Sequence, residues 1–285
     1  MNKKTLLELQ ITATKIRKNI IEQVFYANSG HPGGSLSIAD TLAALYFHEM
    51  NIEPSNPKKD DRDRFVLSKG HASPGLYATL AQRGFFPLED LKGFRSIDSY
   101  LQGHPSMKDI PGVDMSTGSL GQGISAAVGM AISGKVYNQD YRVYSIIGDG
   151  ELEEGQVWEA FMSAAHYKLD NLMAFIDHNG LQIDGKIIDV MNPNNIEAKL
   201  KAFNWNVIVL KDGNDMESII ATFEQAKITK GKPTVVILET TKGKGVSYME
   251  NDYTWHGKAP NQEQRDIAIS ELNSELAKLE GLKNV

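Results

Sequence analysis

The fold is decided by residues 143–155, VYSIIGDGELEEG. Val143 to Ile147 is a short continuous apolar run, as in a strand buried on both faces of a parallel sheet. The run stops abruptly at Gly148-Asp149-Gly150, and a helix is expected from Glu151 to about Tyr167. Leu172 to Ile176 repeats the pattern and ends in Asp177-His178-Asn179-Gly180. Toward the C-terminus, a strand at Val207–Leu210, a helix at Asp215–Lys227 and a strand at Thr234–Leu238 continue the alternation. Toward the N-terminus, Arg64 to Leu67 reads as a strand, and Leu7, Ile11, Ile16, Ile20 and Val24 mark an amphipathic helix over 5–27. Ser37 is the expected cap of a second helix reaching Met50, Ala72–Arg83 is a third, and the small-residue stretch Gly121–Tyr137 a fourth. This succession predicts an α/β fold: a doubly wound, mostly parallel sheet with helices on both faces. Ligands of such sheets sit beyond the carboxyl ends of the strands. Residues 240–247 read as a loop. The expected division is a domain over 1–261, followed by a helix and tail over 262–285 with Leu272, Leu276 and Leu279 in register.

Composition narrows the function classes. The 285 residues include 30 Lys+Arg and 36 Asp+Glu, a formal net charge of −6 without any basic block, which makes nucleic acid a poor main partner. Cysteine is absent, which removes disulfides, thiolate metal sites and a cysteine nucleophile. No apolar run approaches the roughly 18 residues of a membrane helix. The N-terminal MNKKTLLELQITATKIRKNI lacks the apolar stretch and cleavage site of a secretory signal. A cytoplasmic α/β domain, without membrane or nucleic acid, is the expectation at this level.

The polar and glycine-rich residues fall at the predicted strand ends. Asp149 between two glycines suits a hard divalent cation, with backbone N–H groups of the following helix open to an anion. Asn179 stands at the tip of the next strand, so adjacent parallel strands would bring both oxygens to one Mg²⁺ or Ca²⁺. The alternative is an Asp-Gly turn and an Asn turn in unrelated loops. Nucleotide motifs do not fit. GSLGQG at 118–123 lacks the G-x-G-x-x-G order, GHPGGS at 30–35 lacks the P-loop lysine, and GKPT at 231–234 has Pro where that motif has Ser or Thr. Of seven histidines, His31, His71, His104 and His256 lie in glycine-rich loops, where they suit proton transfer near neutral pH and hydrogen bonding to phosphate or hydroxyl oxygens. His48 and His166 belong to helices, and His178 adjoins the candidate ligand Asn179. No spacing matches a zinc motif.

Taken together these motifs resemble the thiamine-diphosphate-binding half of transketolases. The resemblance rests on GDGELEEG-x-x-W-E-A at 148–160 with DHNGLQIDG at 177–185, and on SGHPGG at 29–34, DRFVLSKGHA at 63–72, GHP at 103–105 and STGSLGQGIS at 116–125, in the family's order. It extends to about Pro260. It implies that Asp149, Asn179 and the backbone carbonyl of Leu181 hold Mg²⁺ or Ca²⁺ against the diphosphate of thiamine diphosphate. Gly150 would offer its N–H to that group, with His71 and His256 close by, and Gly118 and Leu120 would lie near the aminopyrimidine. Glu154 resembles the glutamate connecting paired active sites across the family's dimer interface. His31, His104 and His256 would face a sugar phosphate and assist proton transfers as a two-carbon ketol unit is moved. Transketolases continue into a pyrimidine-binding domain that carries the glutamate hydrogen-bonded to the aminopyrimidine. The expectation is therefore the N-terminal subunit of a split transketolase, active only with a separate C-terminal subunit, as a dimer of heterodimers. Deoxyxylulose-phosphate synthases and 2-oxo-acid dehydrogenase E1 components share GDG, and a non-catalytic cofactor-binding subunit is a further alternative. The ordered histidine loops favour transketolase.

Overall fold

The computed structural model describes residues 3–283. Its strands are β1 (Arg64–Leu67), β2 (Val143–Gly148), β3 (Leu172–Asp177), β4 (Leu181–Gln182), β5 (Gly185–Lys186), β6 (Asn206–Leu210) and β7 (Thr234–Leu238). Its helices are α1 (Lys3–Ala27), α2 (Pro32–Leu36), α3 (Ala39–Ala44), α4 (Ser73–Arg83), α5 (Gln122–Val136), α6 (Gly155–His166), α7 (Ile187–Val190), α8 (Ile196–Ala202), α9 (Met216–Ile228) and α10 (Gln262–Lys283). Five strands form one sheet in the order β1-β2-β3-β7-β6, every pair parallel, while β4 and β5 make a small antiparallel hairpin.

The alternation of side chains divides the core into two layers. Phe65, Leu67, Tyr144, Ile146, Met173, Phe175, Val236 and Leu238 face one side, where α1, α3, α4 and α9 pack. Val66, Val143, Ile147, Leu172, Ala174, Ile176, Val235 and Ile237 face the other, against α5, α6 and α8. Both faces are therefore dry, which explains why β2 and β3 read as unbroken apolar runs. The sheet is the doubly wound α/β architecture expected. None of the helices among the described residues is long and apolar enough to cross a membrane.

Several local expectations are corrected. The helix predicted from Ser37 to Met50 is two pieces, α3 and a π-helical turn at Leu45–Glu49, and the short helix α2 precedes it in a glycine-rich stretch that reads as a loop. Ser37 is not an N-cap, because its hydroxyl donates to Asp177 Oδ2 at 2.6 Å, with Gly34 O also near at 3.1 Å. The helix expected from Glu151 begins at Gly155, after a 3₁₀ turn over Gly150–Glu153. Glu151 is turned inward, accepting from Ser68 Oγ and from the N–H groups of Gly121 and Gly148, and this spends the first turn on a buried network. The C-terminal helix is docked: Leu279 joins Leu7 and Ile11 of α1, with Leu276 beside them. The last two residues of the predicted tail lie outside the described residues.

Close packing at the entry of α5 gives a paired test. A Cβ on Gly123 would meet the Ser68 Cα at 2.5 Å, whereas a Cβ on Gly129 of the same helix meets nothing within 4 Å. Gly123→Ala is expected to destabilise the protein by about 1–3 kcal/mol through overpacking. Gly129→Ala is expected to be neutral or stabilising by up to about 1 kcal/mol. Urea unfolding of both variants checks this contrast.

Candidate active site

Asp177, at the tip of β3, has no solvent exposure and four donors. It accepts from Ser37 after α2, Lys69 after β1, Thr240 after β7 and the Asn179 amide at 2.8 Å. Burial opposes its ionisation, but the Lys69 charge and the hydrogen bonds of Lys69, Ser37 and Thr240 outweigh that and hold its pKa below the ordinary value. Asn179 is thereby oriented. Its Nδ2 donates to Asp177, while Oδ1 accepts the Leu181 N–H at 3.2 Å and keeps a second lone pair.

Beyond these strand tips lies a cleft of about 410 Å³. It is lined by His31, His71, His256, Gly118, Leu120, Asp149, Gly150, Glu154, Asn179 and Leu181, together with Lys69, Lys242, Glu151 and Gln182. All but one of the residues singled out in the sequence are thus brought to one place. The exception is His104, an exposed residue that does not line the cleft itself. Its ring packs on Gly118, where a Cβ would come 3.2 Å from His104 Cγ.

The floor of the cleft is rich in hard oxygens. Asp149 follows β2, whose Gly148 is in register with Asp177 of β3, so Asp149 and Asn179 rise from adjacent strands. Burial, followed by the Asp177 charge, raises the Asp149 pKa to about 7. Its oxygens accept from Gly180 N at 2.6 Å and from Gly150 N at 2.9 Å, so the Gly150 N–H is turned to its neighbour's carboxylate. The Leu181 carbonyl accepts from Lys242 Nζ at 3.0 Å and so already faces a cation. Burial lowers the Lys242 pKa to about 8. No cluster of three His, Asp or Glu side chains suited to a metal exists among the described residues. A carboxylate, an amide oxygen and a backbone carbonyl form a different donor set, all oxygen, which fits Mg²⁺ or Ca²⁺ bridging to phosphate. Two buried carboxylates beside two buried ammonium groups also suit a site whose charge balance changes when a dianion and a dication enter together.

Above the floor stand three imidazoles. Ring centroids are 5.1 Å apart for His31–His71, 5.4 Å for His31–His256 and 5.1 Å for His71–His256. Their loops follow α1, β1 and β7. Gly70 permits the β1 loop to pack on the loop before α5, since a Cβ there would meet Gly118 N at 2.8 Å. Burial first, and then neighbouring cations, lower all three pKa values: His31 to about 4, His256 to about 3, and His71 well below its ordinary value. The cluster is neutral at pH 7. Each ring then keeps one nitrogen to donate and one to accept.

Five residues of the site escape a reading of the sequence: Lys69, Lys242, Asp177, Ser37 and Glu151. Lys69 lies inside the SKGHA motif, and its position between a buried strand and a helix is the only available signal. Lys242 falls in a stretch that reads as a loop, and nothing in TTKGKG distinguishes it from the more exposed Lys244.

A group whose folded pKa is lowered binds more protons when unfolded, so its stabilisation is complete above the unfolded value and is lost as pH falls toward the folded one. For His31 that window runs from the ordinary 6.5 down to about 4. Asp149 acts in the opposite sense, so the informative comparison is with His31→Gln. Between pH 7.5 and 5.5 the unmodified protein is expected to lose more unfolding free energy than the variant, by on the order of 1 kcal/mol after allowance for solvent screening. Equal losses in urea titrations would show that His31 is not held neutral by the fold.

Comparison with known proteins agrees with this geometry. Residues 9–275 match the family described as "Transketolase, thiamine diphosphate binding domain". The chain is 44% identical over 276 residues to an apulose-4-phosphate transketolase subunit of Phocaeicola vulgatus, covering 97% of this chain and 98% of that one. It is 45% identical over 269 residues to 6-deoxy-6-sulfo-D-fructose transketolase subunit SqwG of Clostridium sp. strain MSTE9, covering 94% and 98%. Human transketolase is 41% identical over 272 residues, but these span 95% of this chain and only 43% of the human protein. Among solved structures, transketolase from Leishmania mexicana superposes with a TM-score of 0.86 at 32% identity, over 98% of this chain and 45% of that one. The chain belongs to the transketolase family and corresponds to its thiamine-diphosphate-binding domain.

Proposed function

We propose that this chain is the cofactor-binding subunit of a two-subunit transketolase, in which residues 1–261 form the diphosphate domain and 262–285 an appended helix and tail. The observation that carries this reading is one cleft with an all-oxygen cation floor, two buried lysines and three neutral imidazoles. Two relatives that match this chain over nearly their whole length are named as transketolase subunits, which supports a separate partner bearing the pyrimidine-binding half. A dimer of such heterodimers in the cytoplasm completes the reading.

Thiamine diphosphate supplies the carbanion chemistry when bound. Asp149, Asn179 and the Leu181 carbonyl would hold Mg²⁺ or Ca²⁺ against its diphosphate. Lys69, Lys242, His71 and His256 stand where they would meet the same anion, the Gly150 N–H would reach it on leaving the Asp149 carboxylate, and Gly118 and Leu120 would border its ring. Glu154 is exposed at the edge of the cleft, suited to contact across a boundary between subunits. His31 and His256, neutral and adjacent, would exchange protons with substrate hydroxyls, with His104 farther out on Gly118. The names of the two subunit relatives point to ketoses that carry a phosphate or sulfonate as the substrate class.

The test mixes this chain with a protein carrying the pyrimidine-binding half, thiamine diphosphate and Mg²⁺, and measures two-carbon transfer from a ketose phosphate. Transfer is expected from the mixture and not from the chain alone. Activity of the isolated chain would refute the two-subunit reading. In the mixture, His104→Ala is expected to lower donor turnover by roughly 10²-fold while leaving cofactor affinity nearly unchanged. A parallel loss of cofactor binding would make His104 a structural residue.

A further inference from the structure

Arg95 stands out for a backbone and a charge that the cofactor site does not explain. Its φ of 61° lies in the left-handed region, where five of the other six non-glycine residues with positive φ are asparagines, which tolerate it. The backbone is held there by Arg95 N donating to Leu101 O at 2.8 Å. From this turn the guanidinium lies beside the Phe94 ring, 5.4 Å from its centroid. Nη1 donates to Ser29 Oγ at 2.7 Å, two residues before His31. Nε and Nη2 lie against Gly103, each 3.0 Å from where a Cβ would stand, one residue before His104. Among the described residues no carboxylate pairs with Arg95, and its Nε is buried without a partner.

We propose that Arg95 is a positioning residue whose guanidinium braces the His31 loop against the His104 loop at the outer end of the cleft. The brace has fixed anchors on both sides. Ser35 Oγ donates to His31 O at 2.7 Å, while Ser73 Oγ and Tyr77 Oη each donate at 2.8 Å into the 102–103 backbone. Between these anchors the guanidinium is the charged group that touches both histidine loops. An unpaired cation in that place also acts on the imidazoles. Around His31 stand Arg95, His104, Lys242 and the rings of His71 and His256, and around His104 the acting charge is Arg95. Arg95 is the first charge acting on each imidazole after burial, so its removal makes protonation of both histidines easier.

This proposal rests on the functional reading above for what the histidines do, but its test does not. Imidazole NMR titration of the full chain follows the histidines without any activity. In Arg95→Gln, His31 and His104 are expected to protonate about 0.5–1 pH unit higher than in the unmodified chain. Ser29→Ala removes only one acceptor of the brace and is expected to shift His31 in the same direction by less, which keeps the test decisive if Arg95→Gln folds poorly. Unchanged titration of His31 and His104 overturns the proposal. In the assembled two-subunit enzyme, the acid limb of kcat/KM should move up in pH in Arg95→Gln with cofactor affinity unchanged. A parallel fall in cofactor affinity would also overturn it. If the unmodified assembly transfers nothing, the functional reading fails while the titration still decides the role of Arg95.

Discussion

A buried carboxylate must be given donors or it will not ionise, and in this protein that requirement organises the site. Asp177 ends β3 in the middle of the sheet and draws four donors from loops that follow α2, β1, β3 and β7. Breaking such a pair by removing one partner leaves an uncompensated charge, so the loops are held together by electrostatics as much as by packing. The consequence for function is geometric. With Lys69 and the Asn179 amide fixed on Asp177, the Asn179 oxygen, the Asp149 carboxylate and the Leu181 carbonyl are left to border one space.

The two layers of the site have opposite electrostatic character. The floor carries charges of both signs that are buried and matched, suited to an incoming diphosphate with its cation. The wall carries imidazoles kept neutral by burial and by the surrounding cations. Neutral histidines packed ring against ring can donate and accept hydrogen bonds without adding charge to a space already crowded with it. The arrangement depends on the parallel sheet, because only the carboxyl ends of adjacent strands deliver so many loops to one side.

The sheet is legible in the chain because burial on both faces writes itself as unbroken apolar runs, which locate β2 and β3 to within a residue. The site residues are legible because glycines beside Asp149, His31 and His71 mark loops that approach something closely. What escapes reading is tertiary. Ser37 reads as a helix cap, whereas its hydroxyl turns to Asp177, 140 residues away, and the short helix α2 before it lies in a glycine-rich stretch that reads as a loop. Likewise Glu151 looks like the first residue of an amphipathic helix, and only its three buried donors show why the helix starts later. Lys69, Lys242 and Arg95 are ordinary surface types in composition. Their burial and partners are set by strands distant in sequence, which residue spacing does not encode.

The central claim is that the strand-tip oxygens receive a cation that clamps a diphosphate. Calorimetric titration of thiamine diphosphate into the assembled protein, with Mg²⁺ or with a chelator, tests it most directly. The account predicts binding that needs the cation and is abolished by Asp149→Ala. Binding of equal strength with the chelator present, or undiminished in that variant, would contradict it.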